Sequence, residues 1–121
     1  MSKQEELAQV ITTTRRSIPE LRGVMIATTD GMSIASDFPA GEAEQIAAMA
    51  ATALGLGHRI TERTALGGMQ ETVVRGDNGY LVVYGAGASA VLVMSGPTDS
   101  NLGLMRIEAR AASAQISQVL R

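Results

Sequence analysis

Apolar positions along this chain switch between helical and strand periods, and the switches mark its elements. From Ser2 to Ser17, Leu7, Val10, Ile11 and Thr14 recur at helical spacing, which predicts an amphipathic helix. Glu5 and Glu6 near its start and Arg15 and Arg16 at its end complement the helix dipole. Ile18-Pro19 ends it, because a residue before proline avoids helical angles. Gly23 to Thr29 is β-rich without polar alternation, the pattern of a strand covered on both sides. Asp30-Gly31 predicts a two-residue hairpin turn. Met32 and Ile34 then alternate with serines as a half-buried strand ending near Asp37.

Glu42 to Arg63 predicts one helix of about six turns. Its apolar residues fall on two stripes. Ile46, Met49, Ala50, Ala53, Gly57 and Ile60 make the first, assigned to the chain's own sheet. Ala43, Ala47, Ala51, Leu54 and His58 make the second, about a quarter-turn away. A surface helix normally buries one face, so the second stripe calls for another partner. Gly55 and Gly57 each cost about 1 kcal/mol relative to alanine inside a helix. Close packing explains them, with Gly57 toward the sheet and Gly55 beside the Ala47/Ala51 stripe; the alternative is fraying near Gly57.

Met69 to Gly76 reads as a strand, and its polar character predicts a sheet edge. Asp77-Asn78-Gly79 is a turn, Tyr80 to Tyr84 a strand, Gly85 to Ala88 a turn and Ser89 to Met94 a strand. These last two strands are apolar on both faces and belong at the sheet centre. After Ser95 to Asp99, a helix from Ser100 to Leu120 carries Leu102, Met105, Ala109, Ala112, Ile116 and Val119 on one stripe, with Asp99 or Ser100 as its N-cap. A hairpin plus a meander gives an α+β fold. Five mainly antiparallel strands carry the two terminal helices on one face and the middle helix on the other. Residues 1–121 are expected to form one domain.

Composition removes most chemistry. Phe38, Tyr80 and Tyr84 are the only aromatics, so the core is aliphatic. Net charge is -2 and Lys3 is the only lysine, which argues against nucleic-acid binding. The absence of cysteine excludes disulfides, thiolate nucleophiles and cysteine-based zinc sites, and fits a cytoplasmic protein. The polar start, MSKQEELAQV, lacks the order of a signal peptide. Tyr80 to Met94 is too short to span a membrane, so no membrane insertion is expected. His58 has no second histidine at metal spacing. Asp37, Glu42 and Glu44 cluster at a helix start, where the dipole accounts for them. Gly85-Ala86-Gly87 precedes a strand rather than a helix, so it is a hairpin turn and not a phosphate loop. No catalytic, cofactor or metal residues are expected, and binding to other proteins is left as the function to pursue.

VMIATTDGMSIAS from Val24, the Ala-rich helix, GGMQETVVRGDNGYLVVYGAG from Gly67 and NLGLMRIEAR from Asn101 together resemble the Roadblock/dynein light-chain family. Each piece is turn and core chemistry; their order and spacing carry the resemblance, from about Pro19 to Arg110. It implies a profilin/longin-like fold with a five-stranded antiparallel sheet. It also implies a homodimer, with middle helices paired and third strands meeting edge to edge. The interface would then comprise Ala43, Ala47, Ala51, Leu54, Gly55, His58, Gln70, Thr72 and Val74. Prokaryotic members of the family regulate small Ras-like GTPases in cell polarity and motility, some as GTPase-activating proteins. For this chain that implies a non-enzymatic regulator without cofactor. Its GTPase contact would lie on the outward side of the middle helix, at Thr52, Arg59, Glu62 and Arg63, near Gly55. Activation would work by repositioning the GTPase's own groups or by a supplied arginine. The alternative is a scaffolding or adaptor module that leaves nucleotide turnover unchanged. An enzyme or small-molecule sensor would instead need a pocket with converging polar groups.

Overall fold

In the computed structural model, which describes residues 1–121, the chain runs through α1 (Lys3–Ser17), β1 (Gly23–Thr28), β2 (Ser33–Ser36), α2 (Ala43–Arg63), β3 (Thr72–Gly76), β4 (Gly79–Ala86), β5 (Ala90–Gly96) and α3 (Leu102–Val119). The strands form one sheet in the order β2-β1-β5-β4-β3, with every neighbouring pair antiparallel. This is the α+β arrangement expected from the sequence.

Period-two alternation sorts the central strands between two layers. Val24, Ile26, Val82, Leu92 and Met94 face α1 and α3, meeting Leu7, Ile11, Met105 and Ile116. Met25, Ala27, Val83, Val91 and Val93 face α2, meeting Ala47, Ala50 and Leu54. The α2 side is therefore a thin layer in which alanines let the helix approach the strands closely.

Local chemistry places the helix ends. Ser2 and Glu5 form a reciprocal capping box at the start of α1, and the helix stops at Ile18 before Pro19. The cap of α3 is Asn101, whose Oδ1 accepts from the Leu104 N–H at 3.0 Å. It is neither Asp99 nor Ser100; the Ser100 hydroxyl donates instead to the Pro97 carbonyl, at 2.7 Å.

The turns also depart from expectation. The β1–β2 connection has four residues, 29–32, and Thr28 N–H donates to the Met32 carbonyl across it at 2.8 Å, with Gly31 at φ +97°. β4 runs on through Ala86 and β5 starts at Ala90, so the turn expected at Gly85 to Ala88 shifts to residues 87–89, with Gly87 at φ +79°. β3 begins at Thr72, not Met69. Met69 packs against the α2-side core, and Glu71 pairs with Arg106 of α3.

The two sheet edges differ. Along β2, Gln4 of α1 donates its side-chain amide to the Ile34 carbonyl, and every β2 residue is half-buried. Along β3, residues 73–76 are exposed.

Candidate protein-binding interface

β3 is the open edge of the sheet, and its register decides which side chains flank it. Thr72 pairs with Val83 and Val74 with Leu81; both partners pack on the α2 side, so Thr72 and Val74 share that face. Thr72 lies against α2, its hydroxyl 3.5 Å from the Ala53 carbonyl. An added Cβ on Gly57 would come within 2.6 Å of that same hydroxyl oxygen. Gly57 thus permits close approach of helix and edge strand. Gly55 faces open space, so close packing within the chain does not explain it.

The two stripes of α2 are assigned differently in the fold. Ala47 and Leu54, expected at the dimer interface, are buried in the chain's own core at 0% and 5% exposure. Met49 and Ile60, expected against the sheet, are exposed at 63% and 50%. The small residues lie inward because β1, β4 and β5 already fill the layer with Met25, Val83, Val91 and Val93. Ala43 and Ala51 are half-buried, while Gly55 and His58 are exposed. Gln70 is exposed and lines a cleft toward α3. Thr72 is half-buried and Val74 exposed.

The apolar stripe left in solvent runs through Met49, Leu56 and Ile60, beside half-buried Ala53. Spacings of four, three and four residues put these on one flank of the helix. It is the flank next to Gly57, and Gly57 faces Thr72; the stripe therefore borders the open edge of β3, where Val74 is also exposed. Leu56 falls on neither of the two stripes that periodicity predicts. Side-chain size was the signal that could have found it: the large residues cluster on one flank and the alanines on another.

Thr52, Arg59, Glu62 and Arg63 are all exposed on α2. Thr52 donates to the Ala48 carbonyl at 2.9 Å. The ion pairs of the chain are Arg15–Asp37 and Arg106–Glu71, so Arg59, Glu62 and Arg63 keep their charges for solvent or a partner. No three His, Cys, Asp or Glu side chains group as a metal site. No helix is long and apolar enough to cross a membrane. The chemistry this surface offers is recognition: an unpaired strand edge, an apolar flank and a charged outer face.

Comparison with known proteins supports the same architecture. A family model described as the Roadblock/LC7 domain matches residues 7–95. The uncharacterized protein MJ0714 of Methanocaldococcus jannaschii is 34% identical over 99 residues, covering 79% of this chain and 81% of that protein. A Roadblock/LC7 domain from Streptomyces avermitilis superposes with a TM-score of 0.88 at 18% identity, covering 93% of this chain and 96% of the other. The gliding protein MglB from Thermus thermophilus superposes with a TM-score of 0.84 at 19% identity, covering 98% of this chain and 91% of the other.

Proposed function

Because this chain belongs to the Roadblock/LC7 domain family, we propose that it is a non-enzymatic regulatory subunit that pairs with a second copy of itself and binds a small Ras-like GTPase. One observation carries this reading: the exposed stripe Met49–Leu56–Ile60 lies beside an unpaired β3 edge. A second β3 would satisfy the open backbone groups of that edge. The partner's α2 would cover the apolar flank. Gln70, Thr72 and Val74 remain in this interface, and Met49, Leu56 and Ile60 replace Ala47 and Leu54.

The GTPase then meets the outer face of α2, at Thr52, Arg59, Glu62 and Arg63. All four are exposed in the single chain. A cytoplasmic role in motility or polarity belongs to the same proposal; among proteins of this fold is a gliding protein.

The test is binding of the purified chain to a small Ras-like GTPase encoded beside it, loaded with GDP or with a GTP analogue. Nucleotide-dependent binding that weakens in Arg59→Ala or Arg63→Ala supports the proposal. No binding in either nucleotide state overturns it. Hydrolysis and exchange rates measured on the complex separate regulation from scaffolding: a scaffold leaves both unchanged. If Arg59→Ala and Arg63→Ala leave an accelerated hydrolysis rate intact, neither arginine is supplied to the GTPase site.

A further inference from the structure

On the α3 side of the sheet, β4 outruns its neighbour. The β3–β4 ladder ends at Thr72 opposite Val83. Tyr84, Gly85 and Ala86 pair with β5 on one side and have no strand on the other. The gap opens into a cleft of about 580 Å³ between the lead-in to β3 and the flank of α3.

The cleft is rich in unmatched hydrogen-bond donors. Arg106, Arg110 and Ser113 line it from one flank of α3, at spacings of four and three residues. Arg106 commits Nε and Nη2 to Glu71, at 2.7–3.0 Å. Arg110 has no carboxylate partner, because the ion pairs of the chain are Arg15–Asp37 and Arg106–Glu71. The Tyr84 hydroxyl is buried without a hydrogen-bond partner on a residue only 7% exposed. Buried polar groups are normally satisfied; this hydroxyl is closed to solvent at the base of the cleft, close enough to Glu71 and Arg106 for both charges to act on it. Two guanidiniums face one carboxylate, leaving a local charge of about +1. A monoanion neutralises that charge, whereas a phosphate dianion exceeds it by one.

We propose that this cleft binds the carboxylate of a small organic acid. Arg110 and the uncommitted Nη1 of Arg106 supply the positive charge, and the Tyr84 hydroxyl, closed to solvent in this structure, donates to a carboxylate oxygen once Glu71 shifts aside. Ala109 provides apolar floor for the carbon chain of the acid. A tyrosine hydroxyl is protonated and a donor at neutral pH in any case; burial, which raises the Tyr84 pKa to about 12, extends this into the alkaline range. Glu71 acts as a counter-ion that an incoming carboxylate partly displaces. The site lies on the opposite face of the sheet from α2 and does not rest on the GTPase reading.

The composition provides a direct probe. The chain has two tyrosines and no tryptophan, so Tyr80→Phe leaves Tyr84 as the only strong ultraviolet fluorophore. This variant is titrated with acetate, butyrate and inorganic phosphate at constant ionic strength, with sodium chloride as the reference. The expected result is a saturable fluorescence change for the carboxylates, tighter for butyrate than for acetate, with phosphate the weakest. Arg110→Gln in the same background weakens binding about ten-fold or more, as expected for a lost charged hydrogen bond. Glu71→Gln tightens it by removing the competing carboxylate, an effect that a merely structural pair would not produce. A response no different from sodium chloride overturns the proposal. So does equal binding in Arg110→Gln, weaker binding in Glu71→Gln, or a preference for phosphate.

Discussion

Gly57 of α2 and Thr72 of β3 stand so close that a Cβ on the glycine would lie 2.6 Å from the threonine hydroxyl. Gly55, two residues earlier on the same helix, faces open space. This pair of glycines separates helix propensity from packing. Gly55→Ala is expected to stabilise the fold by about 1 kcal/mol, the difference in helix propensity. Gly57→Ala is expected to lose that gain, because Thr72 must turn away and give up its contact with the Ala53 carbonyl. Urea midpoints at matched protein concentration check this. Equal gains at both positions would mean that the edge strand is not held tightly against α2.

The exposed β3 edge leads to a prediction about assembly. Val74 is 54% exposed in the single chain, so Val74→Asp leaves the fold intact. In the proposed dimer it places an unpaired carboxylate in the covered interface, which is strongly unfavourable. Light scattering is expected to show a fall from dimer to monomer mass, corresponding to at least about a hundred-fold weaker association, or about 2.7 kcal/mol. An unchanged mass would move the interface elsewhere. Ala47→Arg is not a fair test of the interface, because Ala47 is fully buried in the core and the variant would disrupt folding.

The start of α3 offers a cleaner comparison. Asn101 accepts from the Leu104 N–H, whereas Asp99 makes no cap hydrogen bond. Asn101→Ala is expected to cost about 1 kcal/mol, and Asp99→Ala much less. Thermal unfolding of the two variants measures the difference. A larger loss for Asp99→Ala would reverse the assignment of the cap.

Tyr84 predicts an alkaline limit to stability. Burial, together with the nearby Glu71 carboxylate, raises its pKa from 10.0 to about 12, and Arg106 acts in the opposite direction. Between these values the unfolded chain has released the phenolic proton and the folded chain still holds it. The unfolded state thus binds fewer protons, and stability falls as pH rises from 10 toward 12. Absorbance titration of Tyr80→Phe at the phenolate band is expected to give a midpoint clearly above 10.0. A midpoint at the ordinary value would show that the ring is not buried beneath the Glu71–Arg106 pair.

Much of the fold is written in local patterns. Leu7, Val10, Ile11 and Thr14 predicted the buried face of α1, and all are buried. Met105, Ala109, Ala112 and Ile116 do the same for α3. The polar run that ends at Gly76 is the sheet edge its composition implied. The interface is less legible. Periodicity shows that α2 has more apolar surface than one face needs, but it does not say which stripe faces inward. That choice depends on how much room the strands leave, and Met25, Val83, Val91 and Val93 leave only enough for alanines and Leu54.

The cleft on the α3 side was not legible in the sequence. Tyr84, Glu71 and Arg106 are separated along the chain, and none belongs to a spacing motif. They meet because β3 starts at Thr72, so that β4 outruns it beneath α3.

Residue period, turn residues and composition were enough to set the element order, the two-layered covering of the sheet, the polar edge strand and the absence of cysteine chemistry. Each of these acts over a few positions at a time, so each can be read along the chain. Three-dimensional packing was needed to turn Ala47 and Leu54 toward the core while Met49, Leu56 and Ile60 face solvent. Packing alone also brought Tyr84 under Arg106. Both outcomes depend on volumes and registers contributed by segments far apart in the chain, and no local pattern encodes them.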